Sequence, residues 1–187
     1  MSRCGPVALQ ICALTCGLPV KGDEIDNQIE GDADGCTLLE LQRVGHAFAL
    51  HTLAVQYPTG LPFEGAAPAV LPTVSPVGRQ HFIALVGCRN GRALIVDLPN
   101  RAVWVTEQDL RTSLRWHGEA LHFSTDDKQI AELRDKVEYE RRVSSESKLV
   151  IASVALLSIA LAIAVTTYRR GRQRAGGSCA VTASQYW

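Results

Sequence analysis

Along this chain the period of the apolar positions changes several times, and each change marks an element. Val7, Ala8, Leu9, Ile11, Ala13 and Leu14 follow Pro6 closely, and Gly17 and Pro19 end the run. A proline in the first turn costs a helix no hydrogen bond, and glycine and proline stop one, so the pattern predicts a helix over 5–16. Residues 22–30 read as a short acidic helix and 31–35 as a loop. Thr37-Leu38-Leu39-Glu40 is a capping box, with Leu41, Val44 and Phe48 behind it at helical spacing, which predicts a helix to about residue 49. From His51 to Val55 the pattern alternates as in a strand, 57–67 is a loop rich in Pro and Gly, and 68–72 is a short strand bracketed by prolines. Two further strands, 81–86 and 92–97, flank Asn90-Gly91, the dipeptide of a type I′ hairpin turn. Thr106 caps a helix over 107–114, and Glu119 to Phe123 is a last strand. Helices followed by an antiparallel sheet make an α+β domain over 1–124.

Past Ser124 the pattern changes in kind. Residues 125–148 are dense in charge of both signs, and Ile130, Leu133 and Val137 share one helical face, which predicts an exposed helical stalk or a linker. Leu149 to Tyr168 is 20 residues without a charge, interrupted only by Ser153, Ser158, Thr166 and Thr167. At about 1.5 Å per residue such a helix spans a hydrocarbon core about 30 Å thick, so 149–168 is expected to be a transmembrane helix. Arg169, Arg170, Arg172 and Arg174 follow it, but Arg134, Lys136, Arg141, Arg142 and Lys148 precede it, so the positive charges do not decide its orientation. The tail 169–187 is basic; its Gly176-Gly177 reads as a flexible segment.

Composition narrows the function. Nineteen Lys and Arg balance nineteen Asp and Glu, so no net charge recommends a nucleic acid as partner. The six cysteines do not form the framework of a small secreted scaffold, and no secretory signal precedes Cys4. The expectation is a single-pass membrane protein whose folded domain faces the reducing cytoplasm. Cys12 and Cys16 lie at i and i+4 and, with Cys36, could be proposed as a metal site. They lack the tight pairs and histidine partners of zinc sites, so they are read as buried apolar cysteines and no metal or cofactor is expected.

Cys4 differs from them in standing directly before a helix start, among N–H groups and the positive end of the helix dipole, a place that favours thiolate over thiol. His81 opens one hairpin strand and Asp97 closes the other, which puts them at one end of the hairpin. Counted from the turn they are not directly opposite, and strand twist or a bulge is needed to bring them together. A carboxylate beside an imidazole fixes its tautomer and stabilises its charged form. His46, His117 and His122 are read as structural.

In order, Cys4-Gly5-Pro6, Gly35-Cys36-Thr37-Leu38-Leu39, His81-Phe82-Ile83-Ala84-Leu85, Ile95-Val96-Asp97 and Trp116-His117-Gly118-Glu119-Ala120-Leu121 resemble the landmarks of the bacteriocin-processing cysteine peptidases, over residues 3 to 124. That family is papain-like, cuts leader peptides after a double glycine, and often forms the N-terminal domain of ABC exporters. The resemblance implies a papain-like domain with Cys4 as nucleophile, His81 as base and Asp97 as its orienting partner. The implied active cleft lies where the first helix meets the sheet, and the implied partners are a leader peptide, the membrane and an ABC exporter. Two features depart from the family pattern. No glutamine stands about six residues ahead of Cys4 as an oxyanion donor, and Asp97-Leu98-Pro99 replaces Asp-Pro. The alternative is therefore a catalytically weak or inactive peptidase-like module that binds leader peptides near an exporter.

Overall fold

A computed structural model describes residues 3–29, 35–97, 102–144, 153, 156–159 and 163. The helices α1 (Cys4–Thr15), α2 (Gly22–Asp26) and α3 (Leu38–Ala47) come first, then the strands β1 (His51–Gln56), β2 (Ala69–Val74), β3 (Gln80–Arg89), β4 (Arg92–Val96) and β5 (Val103–Thr106). A short helix α4 (Glu107–Thr112) and a last strand β6 (Glu119–Ser124) complete the sheet region, and residues 127–144 are helical. The strands form one six-stranded antiparallel sheet in the order β1-β6-β2-β3-β4-β5.

Local chemistry sets the boundaries. Thr37 Oγ1 accepts the Glu40 N–H (3.2 Å) while the Glu40 carboxylate accepts the Thr37 N–H (2.7 Å), so the capping box expected there starts α3. Asn90 and Gly91 both have positive φ (51° and 69°), as a type I′ turn requires. Pro72 is accommodated in β2 because β2 pairs with β6 only at Ala69 and Val70; beyond them one side of the strand has no ladder to interrupt.

The sheet is covered on both faces. Along β3, Phe82 and Ala84 join Leu9, Cys12, Ile25, Leu41 and Phe123 on the face that carries α1, α2 and α3. Ile83 and Leu85 point the other way, to Leu71, Ile95, Leu110 and Trp116. That second face is closed by the stretch expected to be a stalk. Ile130, Leu133 and Val137 are 2%, 3% and 8% exposed and belong to this second cluster. Asp126 starts their helix: its carboxylate accepts the Lys128 N–H (2.9 Å) and its carbonyl the Ile130 N–H (3.4 Å). The first compact unit runs to Val137.

In the second unit, Glu138–Trp187, only part of the apolar span expected at 149–168 is described: residues 153, 156–159 and 163 are helical, with Leu156, Leu157, Ile159 and Ile163 exposed. The rest of that span and the tail 169–187 lie outside the described residues. No helix among the described residues is long and apolar enough to cross a membrane.

His122 shows how the second face tolerates a polar group. The side chain is fully buried. Nδ1–H donates to the Ala67 carbonyl (2.7 Å) and Nε2 accepts from the Tyr57 hydroxyl (3.0 Å), an arrangement only the neutral ring allows. Burial pulls its pKa down to about 4, against a smaller upward pull from the Ala67 hydrogen bond. The unfolded chain protonates this ring near pH 6.5 and the folded one does not, so this contribution to stability is whole above pH 6.5. It is lost as the pH falls from 6.5 to 4, by about 3 kcal/mol in all. Urea midpoints should fall over that range, and the part due to His122 should vanish in His122→Gln.

Candidate active site

Cys4 is the first residue of α1, and its neighbours in the cleft follow from helix geometry. Val7, Ala8 and Ile11 stand three, four and seven residues on, on the face that Cys4 begins. Opposite them stand His81 and Phe82 of β3, Val96 of β4 and Asp97 just after it, and Arg3 closes the rim. The cleft encloses about 290 Å³. Its walls are apolar, and its polar groups gather at the end of the hairpin and at the α1 N-terminus. Arg3 is held by an ion pair to Asp26 of α2, which ties that N-terminus to the next helix.

The hairpin solves the offset between His81 and Asp97. Its register shifts between Leu85 and Gly87, a one-residue bulge that moves the outer half of β3 along β4. Ala84 faces Val96, which places His81 and Asp97 as a diagonal pair two residues out of register. At that spacing His81 Nε2 lies 2.8 Å from Asp97 Oδ1. Both side chains are about a quarter exposed, at 24% and 23%. An ionised carboxylate only accepts, so the proton of this hydrogen bond is on Nε2, and in the neutral ring Nδ1 carries the lone pair. The backbone of His81 is fixed in turn by Thr73 Oγ1, which donates to its carbonyl (3.2 Å).

Cys4, His81 and Asp97, the three residues singled out in the sequence, therefore line one cleft. Cys12, Cys16 and Cys36 do not. Cys12 is fully buried in the core, Cys16 Sγ donates to the Phe123 carbonyl (3.4 Å), and burial raises the pKa of both. Cys36 is buried beside Gly5: a Cβ on Gly5 would sit 2.1 Å from Cys36 Sγ, which is why this position of α1 has no side chain. The apolar wall of Val7, Ala8 and Ile11 was available in the sequence as the helical face that starts at Cys4. Arg3 carried no such signal.

The family model of the Peptidase C39 family matches residues 1–129. The chain belongs to this family of cysteine peptidases. Its domain resembles the peptidase domain of Streptococcus ComA, a bifunctional ABC transporter of a quorum-sensing pathway, at 17% identity and a TM-score of 0.53, over 65% of this chain and 90% of that one. It also resembles a double glycine motif protease from an AMS/PCAT transporter solved with its leader peptide: 18% identity, TM-score 0.50, 66% of this chain and 85% of that one. A third likeness is the N-terminal peptidase C39-like domain of a toxin secretion ATP-binding protein from Vibrio parahaemolyticus: 16% identity, TM-score 0.53, 67% of this chain and 99% of that one. At these identities the three structures establish the fold that this C39 domain shares with them. No curated protein matches the chain.

Proposed function

We propose that this C39 domain is a cysteine endopeptidase that cuts leader peptides after a double glycine, and that its chain is anchored in the membrane beside a peptide exporter. The observation that carries the reading is the 2.8 Å pair of His81 and Asp97 in the cleft that Cys4 lines. Cys4 Sγ attacks the scissile carbonyl, and its proton passes to Nδ1 of His81, the ring nitrogen that Asp97 leaves available. The imidazolium then protonates the leaving amine, and water hydrolyses the thioester. Asp97 keeps the ring in the productive tautomer and stabilises its charged form. The first turn of α1 turns N–H groups toward the same end of the helix, where the Cys4 N–H serves as one oxyanion donor.

The double-glycine preference comes from the family and from the protease solved with its leader peptide. The test is purified protein with a peptide carrying Gly-Gly before the scissile bond, followed by mass spectrometry. The expected product ends in Gly-Gly, and a matched peptide with Val-Val at those positions should be cut at least about ten times more slowly. Saturable binding with no product after long incubation would turn the reading to a peptide-binding module.

The anchor rests on the uncharged stretch 149–168, with support from the exposed Leu156, Leu157, Ile159 and Ile163. Full-length protein should remain in the membrane pellet after a carbonate wash; its release into the supernatant would remove the anchor from the proposal.

A further inference from the structure

Cys36 is 7% exposed and belongs to the core cluster against which Cys4 packs. Its sulfur occupies the space a side chain on Gly5 would need, 2.1 Å from where that Cβ would lie. Gly5 directly follows Cys4, and consecutive Cα atoms are about 3.8 Å apart, so a second sulfur sits against the backbone next to the proposed nucleophile. Cys36 also feels the charge of Cys4. Burial first, then Cys4, then Glu40, push the Cys36 thiol up to about 11, which keeps it protonated and leaves first reaction with an oxidant to the cysteine of the cleft.

We propose that Cys4 and Cys36 are a modification site: a hydroperoxide oxidises Cys4, and Cys36 captures the product as a reversible disulfide that caps the nucleophile. In the first step Cys4 sulfur attacks one peroxide oxygen; an S–O bond forms, the O–O bond breaks, and the departing oxygen leaves as water or alcohol. The sulfur has lost two electrons and is a sulfenic acid. In the second step Cys36 gives up its proton and its sulfur attacks Cys4 sulfur; the S–S bond forms, the S–O bond breaks, and the hydroxide leaves as water with that proton. A dithiol returns both thiols.

Among the described cysteines the surroundings favour this pair. Cys4 opens α1, and Cys36 lies between Gly35, with φ +110°, and Thr37, the N-cap of α3, so both can adjust without disturbing a helix interior. Cys12 and Cys16 are four residues apart, one helical turn, where Cβ atoms lie about 5–6 Å apart, beyond the roughly 3.5–4.5 Å of a disulfide. Cys88 packs in the cluster on the other face of the sheet.

The proposal goes beyond the peptidase reading, and its test reads mass, not cleavage, so either can fail alone. Full-length protein treated with a few equivalents of hydrogen peroxide, alkylated and digested without reduction, should give a Cys4–Cys36 linked peptide two hydrogens lighter than its parts. It should exceed any other cysteine pair at least tenfold and disappear on adding dithiothreitol. Cys36→Ala, and the near-isosteric Cys36→Ser, should give no such link, and Cys4 should instead proceed to sulfinic acid that dithiothreitol does not reverse. Accumulation of sulfinic acid at Cys4 of the wild-type protein without the link, or a link to another cysteine, would overturn the proposal.

Discussion

Exchange of His81 for alanine should lower kcat/KM on a Gly-Gly peptide by about 10³-fold or more, and Cys4→Ala should leave no measurable turnover. The reason is that in the proposed mechanism nucleophile and base act as one unit. Without His81, nothing at Nδ1 takes the thiol proton or returns it to the leaving amine, and that transfer alone contributes about 10²–10⁴ in rate. The double variant should therefore be no worse than Cys4→Ala, where independent contributions would multiply. In the proposed mechanism Asp97 acts through His81. Its oxygen sits 2.8 Å from Nε2 and holds the tautomer, and an asparagine can accept the same N–H through its Oδ1. Asp97→Asn should lose roughly 10²-fold, less than His81→Ala, while Asp97→Ala, which leaves the ring unoriented, should lose more. Peptide affinity of Cys4→Ala should stay within a few-fold of wild type, since the apolar wall of Val7, Ala8, Ile11, Phe82 and Val96 is untouched. Equal activity of His81→Ala and wild type would remove these residues from the chemistry and leave the fold intact.

Where a short signal in the sequence has one physical solution, the structure follows it. Pro6 sits in the first turn of α1, the Thr37–Glu40 box starts α3, Thr106 starts α4, and Asn90-Gly91 closes the hairpin. The juxtaposition of His81 and Asp97 was legible only as a shared end. The bulge between Leu85 and Gly87 sets their final offset, and a bulge is a choice of pairing that counting residues from a turn does not reveal. The strand β5, Val103-Trp104-Val105-Thr106, is β-branched and aromatic throughout, but it is only four residues long and its last residue doubles as the cap of α4, so the helix signal masks it. The partnership of Cys36 with Gly5 depends on a loop meeting a helix from a distance of some thirty residues in sequence, and no local pattern encodes that contact. The buried face of the helix over 127–144 is hard to read for a different reason. It is narrow, three apolar residues among many charges, and a narrow stripe looks the same in sequence on a solvated stalk as on a helix that closes a core.

That helix gives the strongest expectation about stability. A chain ended after Ser124 keeps every strand of the sheet and all three residues of the proposed triad, yet it should not fold on its own at 25 °C. Ile130, Leu133 and Val137 are almost completely buried against the second face. Burial of such side chains is worth about 1.5–3 kcal/mol each, so removal of the three costs on the order of 5–9 kcal/mol, as much as the whole net stability of many domains. The cut also uncovers the apolar residues beneath them, and it removes the Gln129 amide oxygen that accepts from Ser124 Oγ (2.7 Å) and the Lys136 ammonium 5.5 Å above the Phe63 ring. A chain ended after residue 144 retains all of these contacts and should unfold cooperatively in urea. Within it, Leu133→Ala should lower stability by about 2–5 kcal/mol, the range for truncating a buried leucine, while Glu132→Ala on the exposed side of the same turn should stay within about 0.5 kcal/mol of wild type. Urea titrations of the 124 and 144 truncations and of the two point variants decide it: a cooperative transition for the shorter chain, close to that of the longer one, would return this helix to the role of a stalk.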